Sequence, residues 1–528
     1  MAWYENAIFY HIYPLGLCGA EGHNEYKEPI HRLNDLRPWI DHIRELNYNA
    51  LYIGPLFESV GHGYETTDYR KADSRLGTNE DFKELVSYCH DKGIKVIVDA
   101  VFNHTGRDFF AFADIREHRE SSAYLYWYQN VNLYGNNSFN DGFSYDTWGG
   151  YDVLAKLNLA NQDVVNYHLE TVKFWIDEFD VDGLRLDAAD VLNFDFMRQL
   201  RRMTESYKED FWLMGEVIHG NYANWANHET LHSVTNYQLY KAFYSAHNDH
   251  NYFEIAHTIE RQYGLYGDLI YGFYNFADNH DVERIGTILR DRNNYYPLLV
   301  SLYTLPGVPS TYYGSEFLVE GRKERYSDAS LRPCLDLKEM EKGDPFYPEL
   351  IKALGNIRQK ESALTYGPYH VLVLNTESFV YSRGDVIVAL NNSDRTVYLD
   401  VRADGSYRGA LTDRYIVSDN GNLHIEIEAH SGEIYIPEKE DRNTYEPVKI
   451  ERKETVQEQH ETLQTEDQDF HEIINNSKQK PYEEMSIEEL QAAILAKMEA
   501  NGPLNERMIR DVRENVYRDS LLTWVRSF

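Results

Sequence analysis

Four short stretches of this chain end apolar runs in residue types that perform acid–base and nucleophilic chemistry. Lys95-Val-Ile-Val-Asp-Ala-Val-Phe-Asn-His104 closes on Asp99, Asn103 and His104. Gly183-Leu-Arg-Leu-Asp187 sets Arg185 and Asp187 two residues apart. On a strand both side chains then leave the same side, where the guanidinium can hold the carboxylate ionised and oriented. Trp212-Leu-Met-Gly-Glu216 ends in a lone Glu whose pKa desolvation would raise, and Phe276-Ala-Asp-Asn-His-Asp281 ends in a His-Asp pair. Glycosidic cleavage with retention needs a carboxylate nucleophile and a carboxylic acid on the leaving oxygen. It also needs donors and negative charge around an oxocarbenium-like transition state. Asp187 as nucleophile, Glu216 as acid/base, Asp281 as third carboxylate, and His104 and His280 as donors to sugar hydroxyls meet that need. Singly, each admits a bland reading: a buried Asp187–Arg185 ion pair, a helix-entry Glu216, a satisfied core His104. Their recurrence at successive strand ends favours the chemistry.

Such groups have to be held by a frame. Apolar runs at 7–13, 50–53, 95–101, 183–186, 211–215, 269–276 and 308–313 read as buried parallel strands. Amphipathic stretches at 33–46, 79–90, 164–179 and 194–207 lie between them. Strand then helix, repeated close to eight times over about 350 residues, predicts a parallel α/β barrel, which carries its functional groups at the C-terminal strand ends. An open doubly wound sheet is the alternative, and no Gly-x-Gly-x-x-Gly follows a strand to support a dinucleotide site. The connection from Thr105 to Gln162, rich in Tyr, Trp and Asn, is too long for a plain loop and predicts an inserted subdomain. Period-two strands at 369–374, 379–382, 386–391 and 434–436 predict a small antiparallel β domain.

Composition narrows the partners. With 52 Lys plus Arg against 86 Asp plus Glu, the net charge of −34 disfavours nucleic acid and anionic membrane surfaces. No run approaches the ~18 apolar residues of a membrane span. The first residues show no basic and apolar leader, and three scattered cysteines point to a reducing compartment. The expected location is cytoplasmic. Forty-three tyrosines suit stacking on sugar rings as well as an aromatic core.

The four strand ends, in order, closely resemble the signature segments of the α-amylase superfamily, glycoside hydrolase family 13. His62-Gly-Tyr-Glu-Thr-Thr-Asp-Tyr69 and Gly307-Val-Pro-Ser-Thr-Tyr-Tyr-Gly314 resemble two further segments of that family. The resemblance spans residues 5 to about 437. It implies a (β/α)8 TIM barrel with an inserted domain after strand 3 and a C-terminal antiparallel β-sandwich. It also implies catalytic Asp187, Glu216 and Asp281, and substrate contacts from Tyr64, stacking under the cleaved sugar, and from His104, Arg185, His219 and His280. Ala155-Lys-Leu-Asn158 and Glu216-Val-Ile-His219 resemble the corresponding segments of neopullulanases and cyclomaltodextrinases, with Ala for Pro and Ile218 for Trp. Ala189-Asp190 stands where many calcium-dependent α-amylases have Lys-His, leaving Asn103 as a candidate ligand, so no cofactor is required and calcium is left open.

The implied activity is retaining hydrolysis of α-1,4 bonds in maltodextrins or cyclodextrins through a glycosyl-aspartate intermediate. A 4-α-glucanotransferase or maltosyltransferase of the same fold is the first alternative, and an inactive amylase-like scaffold the second. The expected division is barrel at 1–104 and 163–361, inserted domain at 105–162, β-sandwich at 362–437, an acidic linker at 438–482 and a helical tail at 483–528. Ile487, Leu490, Ile494 and Leu495 form one apolar stripe of that tail. Two helices bury little alone. They are expected to dock, on a second subunit in preference to the chain's own barrel, which would make a homo-oligomer.

Overall fold

The computed structural model describes residues 2–325, 327–439, 445–447, 490, 491 and 494. Eight strands, β1 (Phe9–Ile12), β2 (Ala50–Ile53), β3 (Lys95–Ala100), β4 (Gly183–Leu186), β5 (Trp212–Gly215), β6 (Ser233–Val234), β7 (Tyr274–Phe276) and β8 (Val308–Tyr312), form one sheet. Its order is β6-β5-β4-β3-β2-β1-β8-β7, with every pairing parallel. A parallel bridge from Thr235 to Tyr274 joins the two edges and closes the ring. The expected TIM barrel is therefore present.

Alternation along the strands decides what the barrel holds. Leu51, Ile53, Val96, Val98, Leu184, Leu186, Leu213 and Val234 face outward into the core shared with the helices. The other face points inward. Its lower layer is apolar: Phe9, Ala50, Ile97, Trp212, Tyr274 and Val308, with the Phe9 and Trp212 rings stacked at 5.0 Å. Two residues further along β3 and β4 the same face presents Asp99 and Arg185, which are register partners across the strand pair. A period of two thus stacks a polar layer directly on an apolar one.

The connections are punctuated by side-chain caps. Thr78 and Asp81 make a capping box at Asn79–Asp91, and Asn161, Asn193 and Asn236 cap Gln162–Phe179, Phe194–Tyr207 and Tyr237–Asn248. Gly183 opens β4 because a Cβ there would lie 2.5 Å from the Trp212 carbonyl oxygen.

Between β3 and Gln162–Phe179 lies a region with a helix at Phe110–His118 and a three-stranded antiparallel sheet of His104–Thr105, Tyr151–Lys156 and Thr147–Trp148. After the barrel, six antiparallel strands from Tyr369–Leu374 to Ser431–Pro437 face the pair Val397–Arg402 and Asn422–Ile427 across a small core of Val380, Ile387, Val401, Leu423 and Ile425. Two strand expectations change. β6 has two residues, too short to leave a periodic signal. The run at 269–276 pairs only over Tyr274–Phe276, because Gly267–Gly272 winds into a 3₁₀ turn.

The chain divides into two compact units, residues 1–450 and 451–528. In the second, Leu490, Gln491 and Ile494 are helical and buried. The expected docking of the tail, and most of the expected linker, lie outside the described residues. Among the described residues no helix is long and apolar enough to cross a membrane.

One core residue carries a stability prediction. His168 is 1% exposed, packed against the rings of Phe102 and Tyr69 at 4.5 and 5.1 Å, and neither ring nitrogen has a partner among the described residues. Burial lowers its pKa to about 3. The folded-state value lies below the unfolded ~6.5, so this stability is present above pH 6.5 and is lost as pH falls toward 3. The loss is about 2 kcal/mol between pH 7 and pH 5. His168→Leu should remove that slope. Urea unfolding at both pH values should show the variant gaining about 2 kcal/mol on the parent at pH 5 relative to pH 7. Parallel pH dependence of the two proteins would contradict a neutral buried imidazole.

Candidate active site

Arg185 is the hub from which the site is built. Its Nη1 donates to Asp99 Oδ1 at 2.8 Å and to Asp187 Oδ1 at 2.9 Å, and its Nη2 lies 2.8 Å from Glu216 Oε2. Three carboxylates from the ends of β3, β4 and β5 thus share one guanidinium, which is buried. Asp99 is further held by the hydroxyls of Tyr52 at 2.8 Å and Tyr64 at 3.0 Å. Backbone bonds continue the ladders past the strand ends: Asp187 N–H donates to Ala100 O, and Glu216 N–H to Leu186 O. Ala188 adopts φ +47°, a left-handed conformation unfavourable for a residue with a Cβ, and its N–H donates to Glu216 Oε2 at 3.0 Å. Gly215 precedes Glu216 because a Cβ there would meet Leu231 at 2.4 Å and Ala189 at 2.8 Å.

Above this layer opens a cleft of about 270 Å³. Tyr64, His104, Asp187, Glu216 and Asp281 line it, with His62, Trp148, Leu154, Ile218 and Arg332 around them. Arg185 and His280 are buried outside the lining, so they position the wall from behind. His280 Nε2 lies 2.5 Å from the Tyr64 hydroxyl and 3.0 Å from Asp281 Oδ2, and the Tyr64 and His280 rings stack at 5.8 Å. His104 Nε2 meets the Tyr64 carbonyl at 3.1 Å, and the Trp148 ring lies parallel to it at 6.5 Å. His219 is exposed and lies outside the lining, where Ile218 takes the place at the rim.

The electrostatics separate the carboxylates by role. Burial raises the pKa of Asp187, their mutual repulsion with Glu216, Asp99 and Asp281 adds to this, and Arg185 opposes it. Burial also raises Glu216 against the pull of Arg185. As a pair they keep a proton at a pH where ordinary carboxylates have lost theirs. Asp281 behaves oppositely. Partial desolvation works against its charge, but His280, Arg332 and Arg185 outweigh it and hold its pKa well below the usual carboxylate range. Arg332 Nη2 donates to Asp281 Oδ1 at 3.0 Å. Burial lowers His104 to about 4, leaving a neutral ring. One carboxylate held ionised beside a pair sharing a proton can supply a nucleophile, an acid and a fixed negative charge.

Several residues of this site carry no role in the sequence reading. Asp99 ends a quoted strand, and the signal for its part is the register that sets it beside Arg185. Arg332 lies in Leu331-Arg-Pro333, away from any strand end, and no pattern in the sequence marks it. Tyr237, whose hydroxyl stands 3.5 Å from Glu216 Oε1 and accepts from Asn279 at 3.2 Å, sits at the start of a helix and reads as an ordinary core aromatic. Asn103 is buried with its amide 3.2 Å from the His104 ring. Among the described residues the one group of three His, Cys, Asp or Glu side chains close enough to share an ion is Asp291, Asp394 and His430.

Comparison with known proteins gives a consistent result. A family model for the α-amylase catalytic domain matches residues 32–346. The chain is 30% identical over 432 residues to a cyclomaltodextrinase from Bacillus sp, covering 74% of this chain and 73% of that protein. It is 29% identical over 466 residues to neopullulanase 2 from Thermoactinomyces vulgaris, covering 82% of this chain and 78% of that protein. A solved cyclomaltodextrinase structure superposes with a TM-score of 0.74 at 26% identity, over 82% of this chain and 78% of that one.

Proposed function

The chain belongs to the α-amylase family of glycoside hydrolases, and from that premise we propose that it hydrolyses α-1,4 bonds of short maltodextrins or cyclodextrins with retention. The observation that carries this reading is the single guanidinium of Arg185 bonded to both Asp187 and Glu216 at the floor of an open cleft. Asp187 attacks the anomeric carbon while Glu216 gives its proton to the departing glycosidic oxygen. Glu216, now a carboxylate, takes a proton from the water that hydrolyses the glycosyl-aspartate, and Asp187 leaves with its bonding pair. Asp281 stays ionised throughout and offsets positive charge at the anomeric centre. Tyr64 presents its ring to the sugar, its hydroxyl fixed by Asp99 and His280, and His104 offers a neutral imidazole to a hydroxyl. No step is routed through a metal.

The relatives named cyclomaltodextrinase and neopullulanase support short or cyclic glucans as the substrate class. Three unpaired thiols, Cys18, Cys89 and Cys334, favour a reducing cytoplasm.

Incubation with maltotriose, β-cyclodextrin, pullulan and soluble starch, with products resolved by chromatography, tests the substrate class. Short maltodextrins or cyclodextrins should be consumed fastest, and NMR of the first product should show the α-anomer. Initial release of the β-anomer would overturn retention, and transfer products dominating at high maltotriose would assign the glucanotransferase reading instead.

A further inference from the structure

The opposite end of the barrel carries a second cavity, of about 540 Å³. Trp212, which lines it, opens β5, whereas Glu216 follows the last residue of the same strand. At the strand rise the two sites are separated by about 13 Å of backbone through the apolar layer. Five aromatic side chains form the walls: Tyr4, Trp212, Tyr263, Tyr271 and Tyr366. The Tyr4 ring stacks on Trp212 at 6.1 Å, and Tyr263 meets Tyr271 at right angles at 6.4 Å. Tyr263 and Tyr366 are 37% and 40% exposed, so their faces are open to solvent.

The polar groups set the chemical class. Glu5 and Asp268 bring acceptors to the lining, and among the described residues no lysine or arginine lines it. Phosphorylated and carboxylated ligands are therefore disfavoured. His232 accepts the Leu213 N–H at Nδ1, which leaves its proton on Nε2, and burial lowers its pKa to about 3. It is a neutral donor. Flat aromatic faces, carboxylate acceptors and neutral donors from His232 and the tyrosine hydroxyls suit a ring that is apolar on its faces and hydroxylated at its edge. The volume lies within the ~300–1,000 Å³ of small-molecule sites and exceeds what a small ammonium ion fills.

We propose that this cavity is a second binding site for a short α-glucan, separate from the catalytic cleft. The choice of an α-glucan among neutral sugars rests on the proposed function. Calorimetric titration of the full chain carrying Asp187→Asn with maltotriose should reveal two classes of site. Adding Tyr64→Ala should remove one class, and adding Tyr263→Ala with Tyr366→Ala should weaken the other tenfold or more. In the active chain the Tyr263/Tyr366 pair of substitutions should leave kcat/KM on an aryl α-maltoside within twofold. A single class abolished by Tyr64→Ala would overturn the second site alone and leave the proposed function standing. Binding at neither site would overturn both. A second class indifferent to Tyr263 and Tyr366, or displaced by choline, would also overturn the proposal.

Discussion

Asp187→Asn is expected to abolish nearly all turnover of maltotriose while leaving the protein as stable as the parent or more so. The amide keeps the shape of the carboxylate but cannot form the glycosyl ester. Glu216→Gln should lower turnover by about 10²–10⁴-fold, the range a positioned general acid contributes. It should largely spare the first step with aryl α-maltosides, whose leaving group needs no proton. The stability half of the prediction follows from the crowding of charge. Asp187 sits among Asp99, Glu216 and Asp281, and burial raises its pKa above the unfolded value. A raised carboxylate favours the folded state at low pH, and that contribution is lost as pH rises through the folded pKa. Removing the charge therefore removes a cost borne at neutral pH. Asp187→Asn should melt at the same or a higher temperature than the parent at pH 7, with the difference closing toward pH 4. Arg185 keeps two of its three partners, so the scaffold persists. Near-normal hydrolysis by either variant would remove the mechanism, and a fall in melting temperature for Asp187→Asn at pH 7 would show that the ion pair outweighs the repulsion.

What the sequence reveals of this site follows from how each part is encoded. Strand ends with Asp187, Glu216 and Asp281 are legible because a barrel presents functional groups where apolar runs stop, and each run is contiguous in the chain. The pairing of Asp99 with Arg185 is set by register between two strands more than eighty residues apart, which periodicity does not specify. Arg332 and Tyr237 reach the site from a loop and a helix start, so only tertiary packing makes them part of it. The same limit applies to β6: its two residues carry no periodicity of their own, and they read as a strand only through the parallel pairing with β5 and the adjoining Thr235–Tyr274 bridge. His219 is marked only by its place in a resembling segment, and it stands exposed next to Ile218, which lines the cleft.

The hub arginine carries the second large effect. Arg185→Met should cost about 3–5 kcal/mol of stability at pH 7, the penalty for leaving buried charge without its partner. It strips Asp99, Asp187 and Glu216 of their shared donor at once, and the apolar layer beneath offers no replacement. Turnover should fall with stability, since Asp187 would take up a proton and lose its nucleophilicity. The pH dependence gives the argument its sign. Without Arg185 the pKa values of Asp187 and Glu216 rise further, so the folded state binds more protons than the unfolded chain and stability falls as pH increases. The deficit of Arg185→Met relative to the parent should therefore be greatest at pH 7 and shrink toward pH 4, as the buried carboxylates of the folded state take up protons. Arg185→Lys should lie between the two, because one ammonium replaces the charge but not the planar fork that spans three carboxylates. Urea unfolding of the three proteins at pH 4, 5.5 and 7 measures this directly. A deficit that stays constant or grows toward pH 4 would mean that Arg185 stabilises by packing alone, and that the carboxylates at the cleft floor do not depend on its charge.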